Sequence, residues 1–196
     1  LIDSIITGDQ GNLTLRAGDN FNLEAVKSEK RRIATMLVER GFYFFKPDYL
    51  HIIADTAATP GQMDLLIGRS PETPAYACQT YTLDHIMVKM TGVQADSILK
   101  VVLPDTVYYD SICFTGLKDY LKPEVLAQTI QFRKGDLYAI SKHQGSIMRM
   151  NNLGIFRFVR VRFGISDSTQ QKLDMLIEVV PKDDVSLNFE GFVETK

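Results

Sequence analysis

Ser97-Ile98-Leu99-Lys100 has the Ser-x-x-Lys spacing in which a lysine amine can activate a serine hydroxyl as a nucleophile. The Ser-Asp-Asn and Lys-Thr-Gly companions of that chemistry are absent, and so short a pattern arises by chance. His51, His85 and His143 are scattered, without the paired spacing or neighbouring carboxylates of a zinc site, and read as surface or hydrogen-bonded histidines. Cys78 and Cys113 lack metal-ligand spacing; they could pair in an oxidising compartment, but two cysteines do not establish one. There is no Gly-rich phosphate loop and no Gly-x-Ser-x-Gly elbow. The chain therefore reads as a non-enzyme, with no catalytic, cofactor-binding or metal-binding residues expected.

The rest of the composition points to folding and to binding. The 196 residues are 45% hydrophobic and 23% charged, enough for one ordinary core or two small ones and too apolar for disorder. A formal net charge of -2, with both signs intermixed, lacks the positive field that nucleic-acid phosphates require, so nucleic acid is excluded as a partner. No stretch approaches the ~20 apolar residues of a membrane-spanning helix. The N-terminus has no signal-peptide pattern, so an exported chain would have lost its targeting sequence.

Two stretches share one grammar. After Gly18-Asp19-Asn20-Phe21, Asn22 is a candidate N-cap for a helix whose Leu23, Val26, Lys30, Ile33 and Leu37 recur on one face. Gly41 should end it, and Phe42-Tyr43-Phe44-Phe45 should pack beneath it as core. Lys27 to Arg32 reads as a solvated helix face, locally paired by Glu24 and Glu29. Tyr49 to Asp55 then reads as a strand, Thr59-Pro60-Gly61 as a turn and Met63 to Arg69 as the return strand.

In the second half, Gly135-Asp136-Leu137-Tyr138 precedes a helix to about Leu153, stopped by Gly154. The hairpin that follows runs from Phe156 to Gly164 and from Leu173 to Val180. Val159, Val161 and Phe163 lie on one face of its first strand, Arg160 and Arg162 on the other. This half also has an opening strand, Tyr81 to Val88, and a short helix begun by Lys122-Pro123-Glu124, giving the order β-α-α-β-β. Residues 90 to 120 form an insertion in which Val107-Tyr108-Tyr109 and Ile112-Cys113-Phe114 flank Asp110-Ser111 as a small hairpin.

This β-α-α-β-β order, with a glycine between the second helix and a hydrophobic strand, resembles the POTRA (polypeptide-transport-associated) domain. The chain is more particularly similar to the Bacteroidetes branch of BamA and TamA-like outer-membrane assembly factors of the surface-antigen family. The residues that carry this are Gly18-Asp19-Asn20-Phe21-Asn22-Leu23, Glu29-Lys30-Arg31-Arg32-Ile33 and Gly41-Phe42-Tyr43-Phe44-Phe45. They continue with Tyr81-x-Leu83-x-x-Ile86-x-Val88, Gly135-Asp136-Leu137-Tyr138 and Leu153-Gly154-Ile155-Phe156-x-x-Val159-x-Val161, so that most of residues 18 to 181 is covered. Gly145-Ser146 departs from the pattern, falling where such helices carry better helix formers.

The resemblance implies an α+β fold of tandem POTRA domains, each a three-stranded mixed sheet packed on two helices. Residues 1–75 would form a domain truncated or irregular at its N-terminus, and 76–182 a second with the inserted loop 90–120. Residues 183–196 would lead into a missing β-barrel. It implies a place on the periplasmic face of the bacterial outer membrane, touching the membrane only through that barrel. The partners would be unfolded outer-membrane proteins, accessory assembly subunits and the chain's own barrel. Client strands would add to exposed sheet edges at Tyr49, His51 and Ile53 in the first unit and Phe156, Phe158, Arg160 and Arg162 in the second. The arginines of the second edge could equally be guards against aggregation. A two-partner secretion transporter or a division-type scaffold is the alternative within the binding class; a small periplasmic serine hydrolase acting through Ser97 is the enzymatic one.

Overall fold

The structure, a computed structural model, describes residues 2–9, 15, 18–55, 63–91, 106–167 and 169–182. Ser97, Lys100, the turn at residues 59–61 and the segment 183–196 lie outside them. The described residues are α+β. The element order is α1 (Ile2–Gly8), α2 (Leu23–Glu39), β1 (Leu50–Asp55), β2 (Asp64–Arg69), β3 (Thr82–Met90), β4 (Thr106–Tyr109), β5 (Ile112–Thr115), α3 (Pro123–Thr129), α4 (Ile140–Asn152), β6 (Phe156–Asp167) and β7 (Lys172–Pro181).

Helix α2 starts where Asn22 Oδ1 accepts from the backbone N–H groups of Glu24 (2.9 Å) and Ala25 (3.4 Å), supplying two of the donors that a first helical turn leaves without partners. It stops in a Schellman arrangement: Gly41 N–H bonds Val38 O, Phe42 N–H bonds Leu37 O, and Gly41 takes φ +96°, a region open to glycine. Leu23 is exposed, so the buried line is Val26, Glu29, Ile33, Ala34 and Leu37. Glu29 is thus not on a solvated face. It is fully buried and takes both Nε and Nη2 of Arg32, whose Nη1 reaches Asp9 Oδ2 at 2.5 Å and ties in the chain after α1. Glu29 and then Asp9 raise the guanidinium pKa above its ordinary value against the opposing effect of burial.

The aromatic run after Gly41 is core, and it serves two cores. Phe42 and Phe45 are buried with Ile33, Leu37 and Leu50. Tyr43 and Phe44 turn the other way and pack on the second unit, Tyr43 against Tyr138 (4.7 Å) and Phe163 (5.6 Å), Phe44 against Tyr81 (5.0 Å). Two polar contacts reinforce the junction. Tyr81 N–H donates to Gly41 O at 2.9 Å. The N-cap of α4, Ala139, has no capping side chain; the Glu39 carboxylate at the end of α2 accepts instead from Ser141 N–H (2.9 Å) and Ser141 Oγ.

The second unit differs from the expected three strands. Its sheet has five, in the order β4-β5-β3-β7-β6. The β4–β5 hairpin forms as its sequence predicts, with Asp110 (φ 49°) and Ser111 (φ 63°) both left-handed at the tip, as a two-residue turn of this hand demands. It then docks β5 parallel to β3, so that β4 becomes the outer strand on that side. β3 lies parallel to β7, and β7 antiparallel to β6. Along β7 the buried residues Leu173, Met175, Ile177 and Val179 alternate with partly exposed ones, so one sheet face lies against α3 and α4 with Leu126, Phe132 and Met150. Gly145-Ser146 does not interrupt α4. Ser146 Oγ donates to Lys142 O and accepts from Gln131 N–H, and a Cβ at Gly145 would stand 2.2 Å from Gln131 Nε2, so the pair is where the chain after α3 crosses α4 closely.

The first unit contains α1 and α2 with the antiparallel pair β1–β2, in register from Leu50↔Arg69 to Asp55↔Asp64. Among its described residues no strand stands beside β2 in the place that β3 takes beside β7.

Arg32→Ala leaves the Glu29 carboxylate buried without its guanidinium partner and should cost about 3 kcal/mol. Denaturant unfolding measures this, and adding Glu29→Met should recover most of the loss.

Candidate functional site

Length distinguishes β6 from β4, the strand at the other edge of the five-stranded sheet. Gly154 (φ 70°) closes α4, and the chain then enters a 12-residue strand. Among the described residues that strand pairs with β7 alone. Register shifts interrupt it between Phe156 and Phe158 and between Ile165 and Asp167; between them the ladder runs unbroken from Phe158↔Val180 to Ile165↔Leu173. In an antiparallel edge strand, alternate residues direct N–H and C=O away from the sheet. From Phe158 to Ile165 β6 therefore presents a continuous row of backbone donors and acceptors ~26 Å long, at ~3.3 Å per residue.

The two faces of β6 differ. Val159, Val161 and Phe163 are half-buried on the helix side. Phe163 is seated among Tyr43, Phe132, Tyr138 and His143, with centroids 5.0 to 6.1 Å away, so the edge strand is braced by the junction between the units. Burial pushes the Tyr138 phenol up to about 12; its oxygen lies 3.1 Å from His143 Nδ1, and burial pushes the His143 pKa down. His143 Nε2 is buried with no hydrogen-bond partner among the described residues.

The opposite face carries Phe158, Arg160 and Arg162, all exposed. The Arg160 guanidinium lies 5.0 Å over the Phe158 ring, and Arg162 Nη2 meets Glu178 Oε2 at 2.5 Å. Phe156, ahead of the first shift, has its side chain buried in the core and is not presented with the others.

At the smaller edge the expectation needs correction. Tyr49 is not a strand residue: Pro47–Tyr49 forms a turn of 3-10 helix because Pro47 fixes the first φ, and β1 begins at Leu50. The Tyr49 ring packs against Phe45. His51 and Ile53 are in β1. His51 Nδ1 is buried with no hydrogen-bond partner among the described residues, and Ile53, half-exposed, sits across from the exposed Leu66.

The histidines are not all bland. His85 Nδ1 lies 2.9 Å from Asp174 Oδ1 and 3.5 Å from Asp84 Oδ2, so it does have neighbouring carboxylates. The cause is a bulge in β3, where Asp84 and His85 together oppose the single residue Asp174. Asp174 Oδ1 accepts the His85 backbone N–H at 3.2 Å, and Lys134 Nζ sits 3.0 Å from Asp84, holding that carboxyl below its usual pKa. The group staples the bulge. Leu83 and Ile86, three apart and both buried, were the sign in the sequence that the two-residue alternation slips there. Cys78 and Cys113 are both free thiols. No helix among the described residues is long and apolar enough to cross a membrane.

No protein-family model matches the chain, and no curated protein does. Solved structures are similar to it, and they carry POTRA domains. POTRA3-5 of BamA from Haemophilus influenzae is 14% identical with a TM-score of 0.46, over 89% of this chain and 57% of that one. BamA from Haemophilus ducreyi lacking POTRA domains 1-3 is 11% identical with a TM-score of 0.49, over 89% and 27%. POTRA1-3 of Omp85 from Anabaena is 12% identical with a TM-score of 0.39, over 84% and 53%. The chain thus spans little more than half of the longer POTRA fragments it resembles.

His143 supplies a pH dependence. Its folded pKa lies below the ~6.5 of an unfolded histidine, so the unfolded chain takes up the proton first as pH falls. Stability from this group is present above pH ~6.5 and is lost as pH falls below it. Unfolding midpoints between pH 8 and 5 should show the decline, and His143→Phe should flatten it.

Proposed function

We propose that this chain is a pair of POTRA units on the periplasmic face of a bacterial outer membrane, part of an assembly factor for β-barrel proteins, and that β6 receives client strands by edge addition. The single observation that carries the reading is the long unbroken ladder edge from Phe158 to Ile165, unpaired among the described residues, in a sheet whose opposite edge is the four-residue strand β4. The β-α-α-β-β order of the second unit and the ordered motifs from Gly18 to Val161 support the family; its Bacteroidetes branch rests on the motifs alone.

The chemistry suits such clients. A barrel strand en route to hydrocarbon must have its backbone groups paired, and each group left unpaired there costs several kcal/mol. Edge addition pairs them without regard to side chains, as handling many clients requires. The work is binding rather than catalysis. Accessory subunits, and the barrel that follows in such factors, are the remaining partners of this reading. The shorter edge at His51 and Ile53 in β1 is a second place for the same addition.

Adjacent residues of β6 direct their N–H groups in opposite directions, so Val159→Pro and Arg160→Pro should behave differently. One removes an outward N–H, keeps the sheet folded and weakens binding of a barrel-strand peptide at least fivefold; the other breaks the ladder to β7. Circular dichroism identifies the folded variant and a fluorescence titration measures its affinity. Undiminished binding by that variant would count against this edge.

A further inference from the structure

We infer that β6 also selects its clients by charge, favouring strands with acidic residues on the face that lies beside Arg160 and Arg162 and disfavouring basic ones. This rests on strand addition at β6 and names the kind of strand added.

The basis is a local charge imbalance in a chain whose net charge is only -2. From Phe156 to Ser166 the strand contains three arginines, Arg157, Arg160 and Arg162, and no carboxylate. Two of the arginines, Arg160 and Arg162, share the exposed face within the unbroken part of the ladder. The acidic groups nearest them are already engaged. Glu178 on β7, mostly buried, binds Arg162; Asp174 belongs to the His85 bulge; Asp167, beyond the second register shift, is held by the N–H and Oγ1 of Thr169. Further along the same rows of the sheet lie Met87 and Lys89 of β3, which add no acid.

A strand added beside β6 places its side chains directly opposite those of β6, with Cβ atoms ~5 Å apart. On the helix side they meet Val159, Val161 and Phe163, which are only half-buried, so apolar residues there extend the core. On the open side they meet Phe158, Arg160 and Arg162. Stacking on Phe158 and pairing with Glu178 hold both guanidiniums over the sheet in place rather than leaving them to wave in solvent, and opposite charges facing each other across a strand pair are favourable while like charges are not. The fitting occupant is an amphipathic strand, apolar on one face and acidic on the other. The same arginines deter like-charged edges, so protection against aggregation and selection of clients are one electrostatic property.

The test uses three synthetic strand peptides, identical in their apolar positions and carrying Glu, Gln or Lys at the alternate ones. Titrated into the full chain at low salt, the Glu peptide should bind about tenfold tighter than the Gln peptide, and the Lys peptide weaker than both. Arg160→Gln, which leaves the Arg162–Glu178 pair intact, should cut the Glu-over-Gln ratio to about a third, and 0.5 M salt should shrink it likewise. Equal affinity for all three peptides overturns the charge selection while strand addition stands. Failure of all three to bind removes strand addition and the selection with it.

Discussion

A strand at the edge of a sheet has half of its backbone hydrogen-bonding groups facing outward, and a protein must cover, disrupt or use that row. The second unit treats its two sides differently. On the β3 side the inserted hairpin pairs β5 parallel to β3 and leaves the short β4 as the outer strand. On the β6 side nothing among the described residues pairs, and the ladder is regular between its two interruptions. Register shifts end the row, and between them the ladder stays regular. The sheet thus ends on one side in the four-residue strand β4 and on the other in the long open edge of β6.

Holding that open edge still is the work of the junction between the units. Four consecutive aromatics after Gly41 divide between two cores, so neither can shift without repacking the other. Through Tyr43 and Phe163 the same cluster reaches the inner face of β6. Glu39 adds a cap to α4 from the preceding unit, in a place where α4 has no cap of its own. These contacts brace the ladder of β6 from the side away from solvent.

Much of this was legible in the sequence because it is local. Asn22, Gly41, Gly154 and the alternation of Val159, Val161 and Phe163 with Arg160 and Arg162 in β6 act within a few residues, through caps, positive φ and period-2 patterning, and each is found where the residue types place it. The small hairpin around Asp110-Ser111 was legible for the same reason, but its docking on β3 was not, since a parallel pairing is a non-local choice that leaves no mark in the hairpin itself. Glu29 was misread because a charge on a helix reads as solvent-facing unless the partner that lets it be buried is known. The carboxylates around His85 were hidden behind the bulge that gathers them. Tyr49 was taken into the strand because its type suits one, whereas Pro47 decides the backbone there.

The most direct measurement of the central claim is a set of intermolecular NOEs between the isotope-labelled chain and an unlabelled peptide copied from an outer-membrane β-strand. Strand addition at β6 predicts cross-strand backbone contacts, amide and Hα to peptide Hα, running in register from Phe158 to Ile165. NOEs confined to side chains of the open sheet face, or backbone contacts at another edge with none at β6, would contradict it.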